Sequence, residues 1–124
     1  MWLKELVESV ENNSNFTISL NNEDLIKVKD ELKLLHLYRI VQELINNVIK
    51  HSQADKIIIS FQEHGDQLEM IVADDGIGHK FEKGHLGAGL NNVLTRAALL
   101  KGNVSFDSSI GKGFMVTLIF PNYE

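Results

Sequence analysis

Apolar and polar positions along this chain follow two periods, and the changes from one to the other mark its elements. Leu3, Leu6, Val7 and Val10 recur at i, i+3, i+4, i+7, which predicts a short first helix broken by Asn12-Asn13-Ser14-Asn15. Phe16 to Leu20 alternates as a half-buried strand does, and Asn21-Asn22 turns the chain. The stretch from Leu25 to Asp30 fits either a strand extension or a lead into the next helix. From about Glu31 to His51 the period is helical again: Leu37, Val41, Leu44 and Val48 form one stripe, and Glu43, Asn46, Asn47 and Lys50 share the opposite side.

Beyond Ser52-Gln53-Ala54-Asp55 the period falls to two. Ile57, Ile59 and Phe61 alternate with Ile58, Ser60 and Gln62, and after a hairpin turn at Glu63-His64-Gly65-Asp66 the returning strand alternates Leu68, Met70 and Val72 with Glu69, Ile71 and Ala73. A glycine-rich loop follows. Helical spacing through Leu90, Val93, Leu94, Ala97 and Leu100 predicts a helix over Asn91 to Lys101, with Gly102 as its C′ stop. Val104 and Phe106 mark a strand, Ser108 to Gly113 a turn, and Phe114 to Phe120 a last strand ended by Pro121. Helices segregated between antiparallel hairpins predict a two-layer α+β sandwich, with the site between the long helix and the sheet.

Composition narrows the function classes. The 124 residues are read as a single domain, 1–124, and the 44% hydrophobic content is that of an ordinary globular protein. No apolar run approaches the ~18 residues of a membrane span, and no signal-peptide pattern opens the chain. The expectation is a cytoplasmic domain without direct membrane contact, on a parent chain that is free to carry an anchor. The absence of cysteine removes disulfides, thiolate metal sites and a Cys nucleophile, and the net charge of −5 argues against a nucleic-acid partner.

Three stretches carry candidate chemistry. Two adjacent asparagines in mid-helix are unusual for a solvated face, which favours Glu, Lys, Gln and Arg. Glu43 and Asn47, one turn apart, set a carboxylate beside a neutral carbonyl oxygen, a pair suited to orienting a proton acceptor and ligating a hard cation, with Lys50 one turn on to reach an anion. A solvated polar face is the plainer alternative. Asp74-Asp75-Gly76-Ile77-Gly78 is D-x-G-x-G at a strand end. It is either a turn or a place where glycine backbone admits a flat ring while a carboxylate accepts from an exocyclic amine, as adenine N6 would require. Gly87-Ala88-Gly89-Leu90, at the entry to a helix, is either a hinge or a set of free N–H groups for an anion. Gly111-Lys112-Gly113 is better read as a tight turn. His36, His64, His79 and His85 are too scattered for a metal cluster and are read as surface or loop residues, and Trp2 as packing.

Taken in order, E-x-x-x-N on a helix, D-x-G-x-G, G-x-G-L and G-K-G before a final strand resemble the ATP-binding domain of the GHKL superfamily of gyrases, heat-shock chaperones, histidine kinases and mismatch-repair proteins. Leu37-Tyr38-Arg39-Ile40-Val41-Gln42-Glu43 through Lys50-His51 is most similar to sensor histidine kinases with a HisKA_3-type dimerisation helix, the NarX, DesK and LiaS-like groups. The resemblance runs from about Phe16 to Pro121. It implies a mixed, mostly antiparallel sheet with helices on one face, and ATP and Mg²⁺ as cofactors.

Position by position, the resemblance implies Glu43 as the acid that orients or deprotonates the phosphoacceptor and Asn47 as the Mg²⁺ ligand, with Asn46 beside it. Lys50 and His51 would face phosphates or ribose, and Asp74 would bind adenine N6. Gly76 and Gly78 would shape the purine pocket, and Gly87, Gly89 and Leu90 would form the phosphate-binding end of a lid from about His79 to Gly87. The sequence departs from the pattern twice: His79 stands where many relatives have Phe, with Phe81 expected to pack in its place, and Phe114 where many have Thr. The reading is a catalytic domain of a two-component protein histidine kinase, a transferase that acts on a separate helical dimerisation and phosphoacceptor domain and signals to a response regulator. No H-[DE]-x-x-x-Q helix appears in the chain, so the acceptor is expected elsewhere. An anti-sigma-type serine kinase and a nucleotide-gated interaction module are the alternatives.

Overall fold

A computed structural model describes residues 2–51, 55–76, 87–108 and 113–123, and their placement follows the sequence periods closely. Helix α1 (Trp2–Asn12) buries Leu3 and Val7. It ends where Asn13 and Ser14 turn their side chains back onto the carbonyls of Ser9 and Val10, four residues earlier in each case. Strand β1 (Thr17–Asn21) is followed by a single 3₁₀ turn at Glu23–Leu25 and then irregular chain to Asp30, which resolves the ambiguous stretch as a lead into the next helix and not a strand extension. That irregular chain is held by Asn122, a buried polar residue whose Oδ1 accepts from Lys27 N–H (2.7 Å) and whose Nδ2 donates to the Leu25 carbonyl (2.9 Å).

Asp30 caps the long helix α2 (Glu31–His51): its Oδ1 accepts from the Lys33 N–H at 3.0 Å, satisfying a donor that has no partner within the helix. Strands β2 (Lys56–His64) and β3 (Gln67–Asp74) are joined by a two-residue turn in which Gly65 takes φ +62°, the left-handed geometry favoured in tight hairpins. Helix α3 (Gly87–Leu99), β4 (Asn103–Ser108) and β5 (Phe114–Pro121) complete the order.

The five strands form one sheet in the order β1-β2-β3-β5-β4, with β1 and β2 parallel and every other pair antiparallel. One face of it is apolar. Ile57, Ile59 and Phe61 of β2, Leu68, Met70 and Val72 of β3, and Val116, Leu118 and Phe120 of β5 are all buried, together with Ile40, Val41, Leu44 and Ile45 of α2 and Val93 and Ala97 of α3. The opposite face carries the partly exposed Ile58 and Met115. This is the expected α+β sandwich with helices on one face. Edge strand β1 is protected from further pairing by α1, since Glu11 Oε2 accepts from the Ile18 N–H at 3.0 Å.

Helix α3 differs from its predicted bounds at both ends. It begins at Gly87, so the G-x-G-L stretch forms its first turn. At the other end the left-handed residue is Lys101 (φ +58°), not Gly102: Gly102 N–H reaches the Ala97 carbonyl and Lys101 N–H the Ala98 carbonyl, the paired bonds of a Schellman motif with Lys101 at C′. Gly102 is needed for room instead, because a Cβ there would stand 2.8 Å from the Ile119 carbonyl oxygen.

Candidate functional site

Strand alternation positions the first site residue. Asp74 continues the inward series Leu68, Met70, Val72 on the central strand, in one row with Ile57 of β2 and Phe114 of β5. The half-buried carboxylate therefore lies at the end of an apolar face with its Oδ2 withdrawn from solvent. Its Oδ1 accepts from the Gly76 N–H at 2.7 Å, so the motif's first glycine, itself buried, orients the acid through its backbone. A carboxylate has about four acceptor directions, and this bond fixes the group without exhausting it.

Two neighbours that sequence reasoning did not assign to the site hold this corner. Asp75 points the other way, as alternation requires, and its Oδ1 accepts from the N–H groups of Asp55 and Lys56 at 3.0 and 3.1 Å, pinning the strand end to the start of β2. Gly113 (φ +81°) lies so close beneath Asp74 that a Cβ would collide with the Asp74 carbonyl oxygen. The turn-like G-K-G stretch thus delivers its last glycine to the D-x-G-x-G corner. The adjoining departure from the family pattern, Phe114, is buried and stacks on Phe106 with ring centroids 6.1 Å apart.

The second group comes from the two helices. Helix α2 presents a second stripe at i, i+4, i+7, i+11: His36, Ile40, Glu43 and Asn47. Ile40 is fully buried, and the other three are half-buried. This stripe faces α3, which packs antiparallel to α2, with Arg96 Nη1 3.3 Å from His36 Nδ1 at one end and Glu43 against Gly89 at the other. A Cβ built on Gly89 would stand 3.0 Å from Glu43 Oε2. Glu43 and Asn47 are consequently not on an open polar face but in a seam, whereas Asn46 and Lys50 are exposed. His36, expected at the surface, belongs to the same seam.

The elements converge at one end of the sandwich. Only a short connection separates the end of α2 at His51 from the start of β2 at Lys56, which brings Lys50 to the sheet end where β3 finishes at Asp74. Leu90 is buried in the core and anchors the first turn of α3, leaving only its backbone for a ligand. Gly78 and the expected lid as far as Leu86, including His79 and Phe81, lie outside the described residues, as does the side chain of His51. Among the described residues no group of three His, Asp or Glu side chains is placed to hold a metal ion, and no helix is long and apolar enough to cross a membrane.

This arrangement can be set beside known proteins. Residues 33–124 match the family described as histidine kinase-, DNA gyrase B- and HSP90-like ATPase. The chain belongs to this ATPase family. Among curated relatives, the sensor histidine kinase ComP of Bacillus subtilis is 33% identical over 115 residues, covering 90% of this chain and 15% of its own. The sensor histidine kinase LiaS of the same organism is 36% identical over 87 residues, covering 69% and 24%. The histidine kinase domain of the blue-light activated kinase of Erythrobacter litoralis shares the fold, with a TM-score of 0.80 at 16% identity over 98% of this chain and 63% of that one. The chain thus spans about a quarter or less of the length of these curated relatives. It is an ATP-binding domain of the histidine kinase type, with the α+β sandwich of that family's ATPases.

Proposed function

We propose that this domain binds Mg-ATP and presents its γ-phosphoryl group to a histidine on a separate helical dimerisation domain, which then supplies a response regulator. The observation that carries the reading is the seam between α2 and α3, where Glu43 stands against Gly89 in the first turn of α3. Asp74 accepts from the adenine amine, and the backbone at Gly76 leaves the ring room to approach. The first turn of α3, at Gly87, Gly89 and Leu90, offers N–H groups to the phosphates, and exposed Lys50 adds positive charge. His51 and Gly78 complete the nucleotide-facing set on sequence grounds, and Asn46 is its outer member.

The donor chemistry suits Mg²⁺. Asn47 offers a neutral oxygen in the seam, and a hard cation of this kind takes one or two protein oxygens and draws its remaining ligands from phosphates and water. When bound, Mg²⁺ neutralises charge on the transferring phosphates. Glu43 orients the acceptor imidazole and takes its N–H proton as the ring nitrogen bonds to the γ-phosphorus and the bond to the β-phosphate oxygen breaks, releasing ADP.

Asp74→Ala is expected to weaken ADP and Mg-ATP alike by about 10- to 100-fold, the equivalent of losing a charge-assisted hydrogen bond of roughly 1.5–3 kcal/mol. Calorimetry that found unchanged ADP affinity would remove Asp74 from the pocket. The transfer itself is tested by mixing this domain and ATP with the separately expressed dimerisation region of its parent protein. Acid-labile, base-stable phosphohistidine is the expected product, with none formed by the domain alone. Acid-stable phosphorylation of a serine on a partner protein would replace this reading with a serine kinase of the anti-sigma type.

A further inference from the structure

Glycine occupies position 89 although the backbone there does not call for it. Among the described residues only Gly65 and Gly113 are glycines with a positive φ, and Gly89 lies within the first turn of α3, where alanine would favour the helix more. Nor does the core exclude a side chain. Apart from its own helix backbone and chain neighbours, a Cβ at Gly89 would meet only one of the described residues within 4 Å: Glu43, with Oε2 at 3.0 Å and Cδ at 3.9 Å. No backbone atom and no core side chain of the described residues stands in that space.

We infer that Gly89 is a positioning residue for Glu43: its missing side chain is the space in which the carboxylate stands at the start of α3. The inference rests on the role proposed above for Glu43. A contact of 3.0 Å is too short for a methyl group and a carboxylate oxygen, so one of them must give way. The methyl is fixed to a helix whose next residue, Leu90, is buried, whereas the carboxylate is the free end of a side chain with three rotatable bonds. Glu43 therefore yields, and the fold does not. The α3 backbone keeps its place while the acid is displaced from its acceptor.

The test is Gly89→Ala in the full-length kinase that carries this domain, with Glu43→Asp as a second background. Gly89→Ala is expected to leave the melting temperature unchanged or raised, while single-turnover phosphoryl transfer at saturating ATP slows by about 3- to 10-fold, because the carboxylate gives way by a few tenths of an ångström and a full ~1 Å misplacement would cost about 100-fold. Glu43→Asp withdraws the carboxylate by one methylene and clears the added methyl, so in that background Gly89→Ala is expected to cost no further rate. Equal losses in both backgrounds, or a lowered melting temperature on Gly89→Ala, would overturn the inference and leave Gly89 with a backbone or structural role only. A third result is separable from these: if Glu43→Gln transfers at the unsubstituted rate, the role of Glu43 fails, and this inference with it.

Discussion

Glu43→Gln is expected to lower phosphoryl transfer to the acceptor histidine by about 10²- to 10⁴-fold, or about 3–5 kcal/mol of barrier, while ADP and Mg-ATP affinity stay within a small factor. Glutamine has nearly the same shape, so the seam with Gly89 and the first turn of α3 should persist. What it lacks is a charged oxygen able to hold the imidazole N–H and receive its proton. Single-turnover transfer with saturating ATP isolates this step from binding and product release. A loss seen only as weaker ATP binding would place Glu43 among the nucleotide contacts, and transfer within about threefold of the original, far short of a general base's contribution, would remove it from the chemistry.

The second large effect is structural, with a functional consequence. Gly113→Ala is expected to destabilise the domain by about 2–4 kcal/mol, combining the strain of an L residue at positive φ with a collision that only backbone movement can relieve. The obstacle is the Asp74 carbonyl oxygen, with Asp74 C at 3.2 Å and Asp75 Cα at 3.6 Å behind it. Relief must move the corner that sets the Asp74 carboxylate, so ADP affinity should fall together with the melting temperature. Gly65→Ala is the control: it has a similar φ of +62° but nothing within 4 Å of an added Cβ, and should cost about 1–2 kcal/mol without altering ADP binding. Thermal melts and ADP titrations of the two variants separate the contributions. Equal destabilisation by both, with ADP affinity intact, would show that Gly113 serves only its own turn.

Much of this molecule was legible because burial imposes a period on the sequence. One face of the sheet must be apolar, so β2, β3 and β5 announce themselves by strict alternation, and the same alternation sets Asp74 inward and Asp75 outward. The 21-residue helix α2 is long enough for its core stripe to declare its type. Short-range rules failed where glycine serves a neighbour distant in sequence. The C′ position of α3 went to Lys101 because Gly102 was needed beside the Ile119 carbonyl, and Gly113 read as an ordinary turn because its reason is Asp74, on another strand.

By itself the sequence determined the α+β class and most element bounds, since each follows from local periodicity, and it named the candidate site residues from the order of short motifs. The parallel pairing of β1 with β2 and the final order β1-β2-β3-β5-β4 were decided only in three dimensions, because alternation specifies which face of a strand is buried but not which strand lies beside it. The same holds for the environment of Glu43 and Asn47. Along the helix their spacing pairs them one turn apart, but they share one polar side with Asn46 and Lys50 and nothing local sets their burial apart. The antiparallel packing of α3 against His36, Ile40 and Glu43 turns that stripe into a half-buried seam, and brings a glycine far along the chain to the one place where a carboxylate needs the room.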